Sequence, residues 1–437
     1  MENLIVPLTS PLAADPSRFG PKAANLAALG HAGLPIPDGF ALDVAAYQLQ
    51  IRTLGLEDAA RRAFATDDGP EARRCALQMK LGLLDEPITP AILEPLLEAW
   101  RALVDKTGAL TVVRSSALVE DRYGSSFAGQ FESYLGLETE TDFITAVRSC
   151  WAALWSTRAL RYMATHGGDP ADTGMAVLVQ PLVPAIASGG GLSRTADGGM
   201  LVSSTWGLGS SIAQGEVTPD RFELDADGSL LHVAAGRKDH QVGCVHRQQA
   251  PDTAAVASDL ITAPSLERAH IDEIGRILRR CEALVGMPVE IEWALAPSAV
   301  EGRDEAGVKL LQARPLHLEA PHVPDEIWLQ HPRLNGHPAG VGWAVGRAVV
   351  INCECELSRV AAGDVLVTRV AGPSLSHILP RISGMVTERG GSTSHMASLA
   401  RERGLPMVLG VADATQRIPD GAQVAVDGVA GIVRWMQ

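Results

Sequence analysis

The chain has 437 residues, 37 basic and 51 acidic side chains, a net charge of −14 and 46% hydrophobic composition. An acidic balance spread without long blocks argues against nucleic acid or an anionic membrane as partner, and no run of about 18 apolar residues offers a membrane span. Such a length and composition suit a soluble protein of two or three domains with ample core. The N-terminal Met1-Glu-Asn-Leu-Ile-Val6 has no basic region ahead of an apolar one, so a secretory signal is not expected. Six cysteines, Cys75, Cys150, Cys244, Cys281, Cys353 and Cys355, show no framework spacing and read as reduced, buried thiols of a cytoplasmic protein. Cys353 and Cys355 share one face of a strand, and two ligands do not make a zinc site.

In chain order, Arg18-Phe-Gly-Pro-Lys22-Ala-Ala-Asn-Leu-Ala-Ala-Leu-Gly30 reads as a turn opening a helix, with Leu26 and Leu29 on one face. Lys22 sits where that helix begins, a place that suits anions; a solvated lysine is the other reading. Residues 50–105 read as two or three helices without chemistry. At Thr111-Val-Val-Arg114-Ser-Ser-Ala117 a buried strand delivers an arginine and two hydroxyls into a loop, followed by the glycine-bearing Tyr123-Gly-Ser-Ser-Phe-Ala-Gly-Gln130. Such a loop either closes over a polyphosphate or is only a turn. Phe143, Val147, Trp151 and Leu154 fall at helical spacing and belong to the core. Met175–Val183 is an apolar strand that runs past Gln180 into a proline.

Val289-Glu-Ile-Glu-Trp-Ala-Leu295 and Lys309-Leu-Leu-Gln-Ala-Arg-Pro315 alternate with period two. Glu290 and Glu292 therefore share a face, as do Gln312 and Arg314. Paired as an antiparallel hairpin, the two strands gather oxygen donors suited to Mg²⁺ and a guanidinium suited to phosphate; a solvated sheet face with an ordinary salt bridge is the alternative. Residues 319–339 carry Pro321, Pro324, Pro332 and Pro338 and read as a semi-rigid linker. His317, His322, His331 and His337 lack ligand-like spacing and read as solvated. Strands follow at Gly340–Ile351 and Asp364–Thr368, and Val424–Gly428 with Ile432–Trp435 closes the chain as a hairpin.

Ile382–Thr387 reads as a short strand and Arg389–Ser392 as a glycine-bearing turn. His395–Arg403 are good helix formers stopped by Gly404 and Pro406. His395 thus lies in a first helical turn, with Thr393 or Ser394 as N-cap. There a histidine is a nucleophile beside unpaired backbone N–H groups that favour a phosphoryl group, or a capped surface histidine.

The run Gly390-Gly-Ser-Thr-Ser-His395-Met-Ala-Ser-Leu-Ala-Arg-Glu-Arg-Gly-Leu-Pro-Met-Val-Leu-Gly410 resembles the swivelling phosphohistidine domain of the family of phosphoenolpyruvate synthase, pyruvate phosphate dikinase and rifampicin phosphotransferase. The Arg18–Phe40, Arg114–Ala117, Ser126–Gln130, Gly215–Asp220, Glu290–Trp293 and Leu311–Pro315 runs resemble its nucleotide-binding domain. Ser188–Thr195 departs from the family's pattern there, and Ser210 stands where the family usually carries glutamate.

The resemblance implies an α/β (α+β) architecture: an ATP-grasp-like domain over residues 1–318 with a hinge near 180–190, the linker at 319–339, and a small phosphohistidine domain over 340–437. It implies His395 as phosphocarrier. Nucleotide contacts are expected from Lys22, Arg114, Ser125, Ser126, Gly129, Gln180, Pro181, Leu182, Val183 and Arg314. Mg²⁺, or Mn²⁺ in its place, is expected on Glu292 and Gln312, with Glu290 beside them. The implied activity is dikinase-type transfer from ATP through His395 to an acceptor, releasing AMP with phosphate or pyrophosphate. No acceptor domain follows His395 in this sequence, so the acceptor is expected to be a small molecule or to sit on a separate subunit. A non-catalytic nucleotide-binding, phosphocarrier or regulatory protein that kept the fold is the alternative.

Overall fold

The computed structural model of the protein describes residues 3–63, 69–120, 131, 133–157, 159–160, 163, 174–243, 253–297, 306–316, 318 and 326–436. Contacts group the described residues into two units. Those of Met1–Val183 together with Lys309–Arg314 form the first, and those of Pro184–Cys244, Ala250–Val308 and Pro315–Gln437 form the second.

In the first unit the elements are β1 (Ile5–Pro7), α1 (Pro16–His31), β2 (Phe40–Leu42), α2 (Val44–Thr53), α3 (Glu57–Arg62), α4 (Pro70–Asp85), α5 (Pro90–Thr107), β3 (Thr111–Ala117), β4 (Ser133–Leu137), α6 (Glu140–Ala153) and β5 (Met175–Pro181). The strands form an antiparallel sheet in the order β1-β2-β5-β3-β4. Its apolar centre, β5, is covered by α1, α2, α5 and α6. Helix starts follow local chemistry: Asp15 and Asp43 accept from the backbone N–H two residues on, and Thr139 with Asp142 makes a capping box. Phe143, Val147, Trp151 and Leu154 are fully buried, as their spacing predicts. The helix expected near Lys22 breaks at Gly20 (φ +70°) and restarts at Pro21, the turn-then-helix of the sequence reading.

In the second unit β6 (Ala187–Leu192), β7 (Met200–Trp206), β8 (Asp220–Leu224) and β9 (Leu230–Ala234) are followed by the hairpin β10 (His240–Val242) and β11 (Thr253–Ala255), then α7 (Arg268–Val285) and β12 (Val289–Ala296). Within this unit β12-β6-β7-β8-β9 follow one another, antiparallel throughout. Helix α7 buries Ile271, Ile274, Ile277, Leu278 and Cys281, packs on β12, β7 and β6, and stops at Gly286 (φ +79°). The strand β13 (Gly307–Pro315) places its central residues, Lys309–Arg314, in the first unit.

The C-terminal part adds β14 (Arg333–Asn335), β15 (His337–Pro338), β16 (Trp343–Ile351), β17 (Val365–Thr368), β18 (Gly384–Thr387), α8 (His395–Glu402), β19 (Met407–Leu409), β20 (Gln423–Asp427) and β21 (Ile432–Trp435). They form one sheet in the order β14-β21-β20-β16-β17-β18-β19-β15, in which β16 to β19 run parallel. Its core holds Val365, Val367, Val386, Val408, Val424, Val426 and Val433.

Three expectations change. Residues 333–338 were expected as linker, yet β14 pairs with β21 and β15 with β19. Both lie at sheet edges, where proline is tolerated. His337 was expected to be solvated but is half-buried, and desolvation, followed by the nearby Arg221 charge, pushes its pKa down to about 4. Its ring closes on Gly410 (φ +66°), where a Cβ would come within 2.3 Å of its Cδ2. Third, Cys353 and Cys355 are exposed and joined by a disulfide rather than buried and reduced. Cys75, Cys150 and Cys281 are buried and in no disulfide, and burial pushes Cys281 up to about 12. Cys244, His317, His322 and residues 319–325 lie outside the described residues. Among the described residues no helix is long and apolar enough to cross a membrane.

Candidate functional site

In the first unit the site is assembled on β3. Ser116 Oγ donates to Phe19 O at 2.7 Å and accepts from Ala23 N at 3.2 Å. This brings the turn at Gly20 against the strand, and a Cβ at Gly20 would lie 2.3 Å from Ser116 O. The turn delivers Lys22, whose Nζ donates to Ser115 O at 2.7 Å and pairs with Glu120 at 3.3 Å. One residue before Ser115, Arg114 donates from Nη1 to Leu311 O and from Nη2 to Gln312 Oε1, both at 2.7 Å. Lys22, Arg114 and Gln312, separate in sequence, thus meet at the middle of β3, around Arg114 and Ser115. Arg314, two residues on from Gln312, is buried.

On the neighbouring β5, Gln180 stands opposite Val112. It is 3% exposed, and its Nε2 finds no hydrogen-bond partner in the described structure. A buried amide donor without a partner costs free energy unless something else accepts from it. Pro181 closes the strand, Leu182 is buried with its N–H on Leu110 O, and Val183 is half-buried. Ser125, Ser126 and Gly129 lie outside the described residues.

In the second unit Ser394 caps α8, its Oγ accepting from Ala397 N at 3.3 Å; of the two candidates for N-cap, Ser394 fills the role. His395 is the first residue of α8 and half-exposed. The turn before it is fixed at several points. Gly390 N donates to Val217 O at 3.1 Å, Arg389 donates to Glu216 O at 2.9 Å and faces Asp239, and Ser392 Oγ donates to Pro338 O. A Cβ at Gly391 would lie 2.5 Å from Pro219 Cγ.

Below this turn runs a buried polar network. Arg401 Nη2 donates to Glu290 Oε2 at 2.9 Å, and its Nη1 donates to Ser392 O at 2.6 Å and Ala339 O at 3.2 Å. Ser398 Oγ lies 3.3 Å from the same Glu290 oxygen. Glu290, expected beside a metal, thus has its carboxylate engaged by the helix that carries His395. Glu292, two residues on, stands opposite Gly190, so its side chain shares that face. At Gly190 a Cβ would lie 2.5 Å from Thr393 Cβ, and at Gly189 it would lie 1.8 Å from Ser203 O. The unusual Ser188-Gly-Gly-Gly191 run therefore has a packing cause: the histidine turn rests against Gly190, and the backbone of β7 rests against Gly189. Another buried ion pair supports the same region. Lys238 bonds Asp220, whose two oxygens also accept from Gly236 N, Ser265 N and Ser265 Oγ. Among the described residues no three His, Cys, Asp or Glu side chains cluster as a metal site.

The roles of Arg401, Ser398 and Arg389 escaped the sequence reading. Arg401 stood inside the quoted histidine run, but its partner Glu290 is 111 residues away.

An ATP-grasp-like α/β assembly, followed by a small domain that presents a histidine at a helix start, defines the class. A domain described as pyruvate phosphate dikinase, AMP/ATP-binding domain, matches residues 16–327, and one described as PEP-utilising enzyme, mobile domain, matches residues 360–431. The first match covers well over half of the chain, and the protein belongs to the pyruvate phosphate dikinase family. It is similar to a probable phosphoenolpyruvate synthase of Methanothermobacter thermautotrophicus, 30% identical over 429 residues, which are 95% of this chain and 61% of the relative. The phosphoenolpyruvate synthases of Aeropyrum pernix and Escherichia coli are 32% and 28% identical, with 95% of this chain matched to 56% and 55% of theirs. The chain thus spans little more than half the length of these relatives.

Proposed function

We propose that the chain performs the nucleotide side of a dikinase-type phosphotransfer: His395 takes a phosphoryl group from ATP and passes it to an acceptor. The observation that carries this reading is His395 at the capped start of α8, set by the turn that rests on Gly190 and Pro219, on the face of β12 that bears Glu292. A neutral imidazole is a nucleophile suited to receive a phosphoryl group. The helix N-terminus favours the phosphoryl group it would receive.

Lys22, Arg114 and Arg314 are the cations assigned to the phosphates, whose transfer depends mainly on positioning and charge stabilisation. Lys22 and Arg114 now donate to Ser115 O, Glu120, Leu311 O and Gln312, contacts that an anionic ligand would compete for. Gln180 Nε2, buried and unmatched, suits an acceptor on the base, with Pro181 to Val183 beside it. Glu292 and Gln312 are the side chains assigned to Mg²⁺, because oxygen donors suit that ion, which would neutralise phosphate charge. Gln312 keeps a second lone pair besides the one that meets Arg114. Glu290 is assigned instead to holding Arg401. AMP and phosphate are the expected products.

Incubation with β- and γ-labelled ATP tests the reading. Acid-labile label from the β position on the wild type, absent from His395→Ala, is expected. Failure to label the wild type, with no AMP formed with any acceptor tried, would reject the transfer and favour a nucleotide-binding protein without it. Label undiminished in His395→Ala would reject the carrier.

A further inference from the structure

The disulfide between Cys353 and Cys355 has no part in the phosphotransfer just described. The two cysteines follow β16, flanking Glu354 at the start of the 3₁₀ segment Glu354–Arg359, with Cα atoms 5.4 Å apart. Both are exposed. A bridge across a single intervening residue closes a very short loop, and the shortest loops remove least freedom from the unfolded chain. As a staple it would add little. Exposed bridges are also those that thiols reach and that exchange readily. The buried Cys75, Cys150 and Cys281 are shielded from such exchange.

The pair is also wired to the carrier helix. Glu354, held between the two cysteines, accepts a hydrogen bond from Ser374 Oγ. Ser374 belongs to the 3₁₀ segment Pro373–His377, which packs against α8. Closing the bridge fixes the backbone on both sides of Glu354 and so favours its hold on Ser374.

We propose that Cys353 and Cys355 form a reversible thiol–disulfide site whose reaction partner is a low-molecular-weight disulfide or dithiol. In oxidation, one thiolate attacks a sulfur of the partner disulfide, forming a mixed disulfide and expelling one thiolate. The second cysteine thiolate then attacks the protein sulfur and expels the other. The protein loses two electrons and two protons, and one partner disulfide becomes two thiols. A dithiol reverses the sequence.

The test uses the full chain carrying Cys244→Ser, equilibrated in glutathione buffers from fully reduced to fully oxidised. Free thiols are then trapped with a maleimide and the peptides weighed. The peptide holding Cys353 and Cys355 is expected to move from two maleimides to none, lighter by two hydrogens when bridged, and to return with excess dithiol. Cys353→Ser and Cys355→Ser should each trap glutathione as a stable mixed disulfide at the remaining cysteine. Hydrogen exchange at residues 373–377 should be several-fold slower in the bridged form. Two maleimides in every buffer would overturn the site, as would a bridge that excess dithiol leaves intact in the folded chain. Equal exchange at 373–377 in both forms would overturn its link to the carrier helix.

Discussion

The β3 cluster and the histidine turn are both polar, and they are held in opposite ways. Around β3, Lys22 and Arg114 rest on backbone carbonyls and on side chains that an anion can displace them from, while Gln180 offers a donor with no partner. At the histidine turn a buried arginine ties several polar groups together: Arg401 joins Glu290, Ser392 O and Ala339 O, and glycines give the turn its seat. The first is the set of groups proposed to meet the nucleotide. The second is a mount that leaves His395 half-exposed at its edge. Substitutions in the mount should therefore register as stability, and substitutions in the cluster as nucleotide affinity.

The largest effect is expected at the mount's ion pair. Arg401→Met removes the counter-charge of buried Glu290 and should cost about 3–5 kcal/mol in chemical denaturation. Adding Glu290→Leu should restore most of that loss, since an apolar pair of similar volume replaces a buried ion pair at little cost. Gly190→Ala places a methyl 2.5 Å from Thr393 Cβ, and overpacking of this kind costs up to about 3 kcal/mol. The same substitution should lower phosphohistidine yield while leaving ATP affinity within about twofold, because it touches none of the β3 contacts.

A smaller effect concerns His337, whose pKa lies near 4 in the fold against 6.5 ordinarily. Between those values the unfolded chain binds the extra proton and the folded chain does not. The contribution is complete above pH 6.5 and is lost as pH falls toward 4, by about 2 kcal/mol after allowance for partial exposure. Denaturation of His337→Phe and wild type at pH 7 and pH 4.5 measures it, and the variant should lose the smaller amount on acidification. Smallest in stability is Gln180→Leu. Because Nε2 satisfies nothing in the described structure, its removal should change stability by less than about 1 kcal/mol. Calorimetric titration should nevertheless show ATP binding weakened about tenfold, the loss of one good hydrogen bond in a buried site.

Local signals made much of this legible. The Gly-Gly turn, the serine cap and Gly404 located α8 to within a residue, because each acts on its own neighbours. Period two placed Glu290 and Glu292 on one face, and the arginine after two valines placed Arg114 on a buried strand. What local signals could not carry is partnership across the chain. The pairing of Glu290 with Arg401 depends on how β12 meets a helix far along the sequence. The triple glycine at 189–191 looked like a departure until Thr393 and Ser203 were seen filling its space. The prolines at 319–339 read as a semi-rigid linker, yet two short segments there complete the edges of a sheet. Cys353 and Cys355 read as buried because composition says nothing about a turn that carries them outward.

The central claim is that His395 itself is charged from ATP. Peptide mapping at alkaline pH, after the full chain has met ATP and Mg²⁺, tests it directly. The account predicts acid-labile phosphate on the peptide around residues 389–403, assigned to His395. Phosphate on another residue, or none under conditions where ATP demonstrably binds, would contradict it.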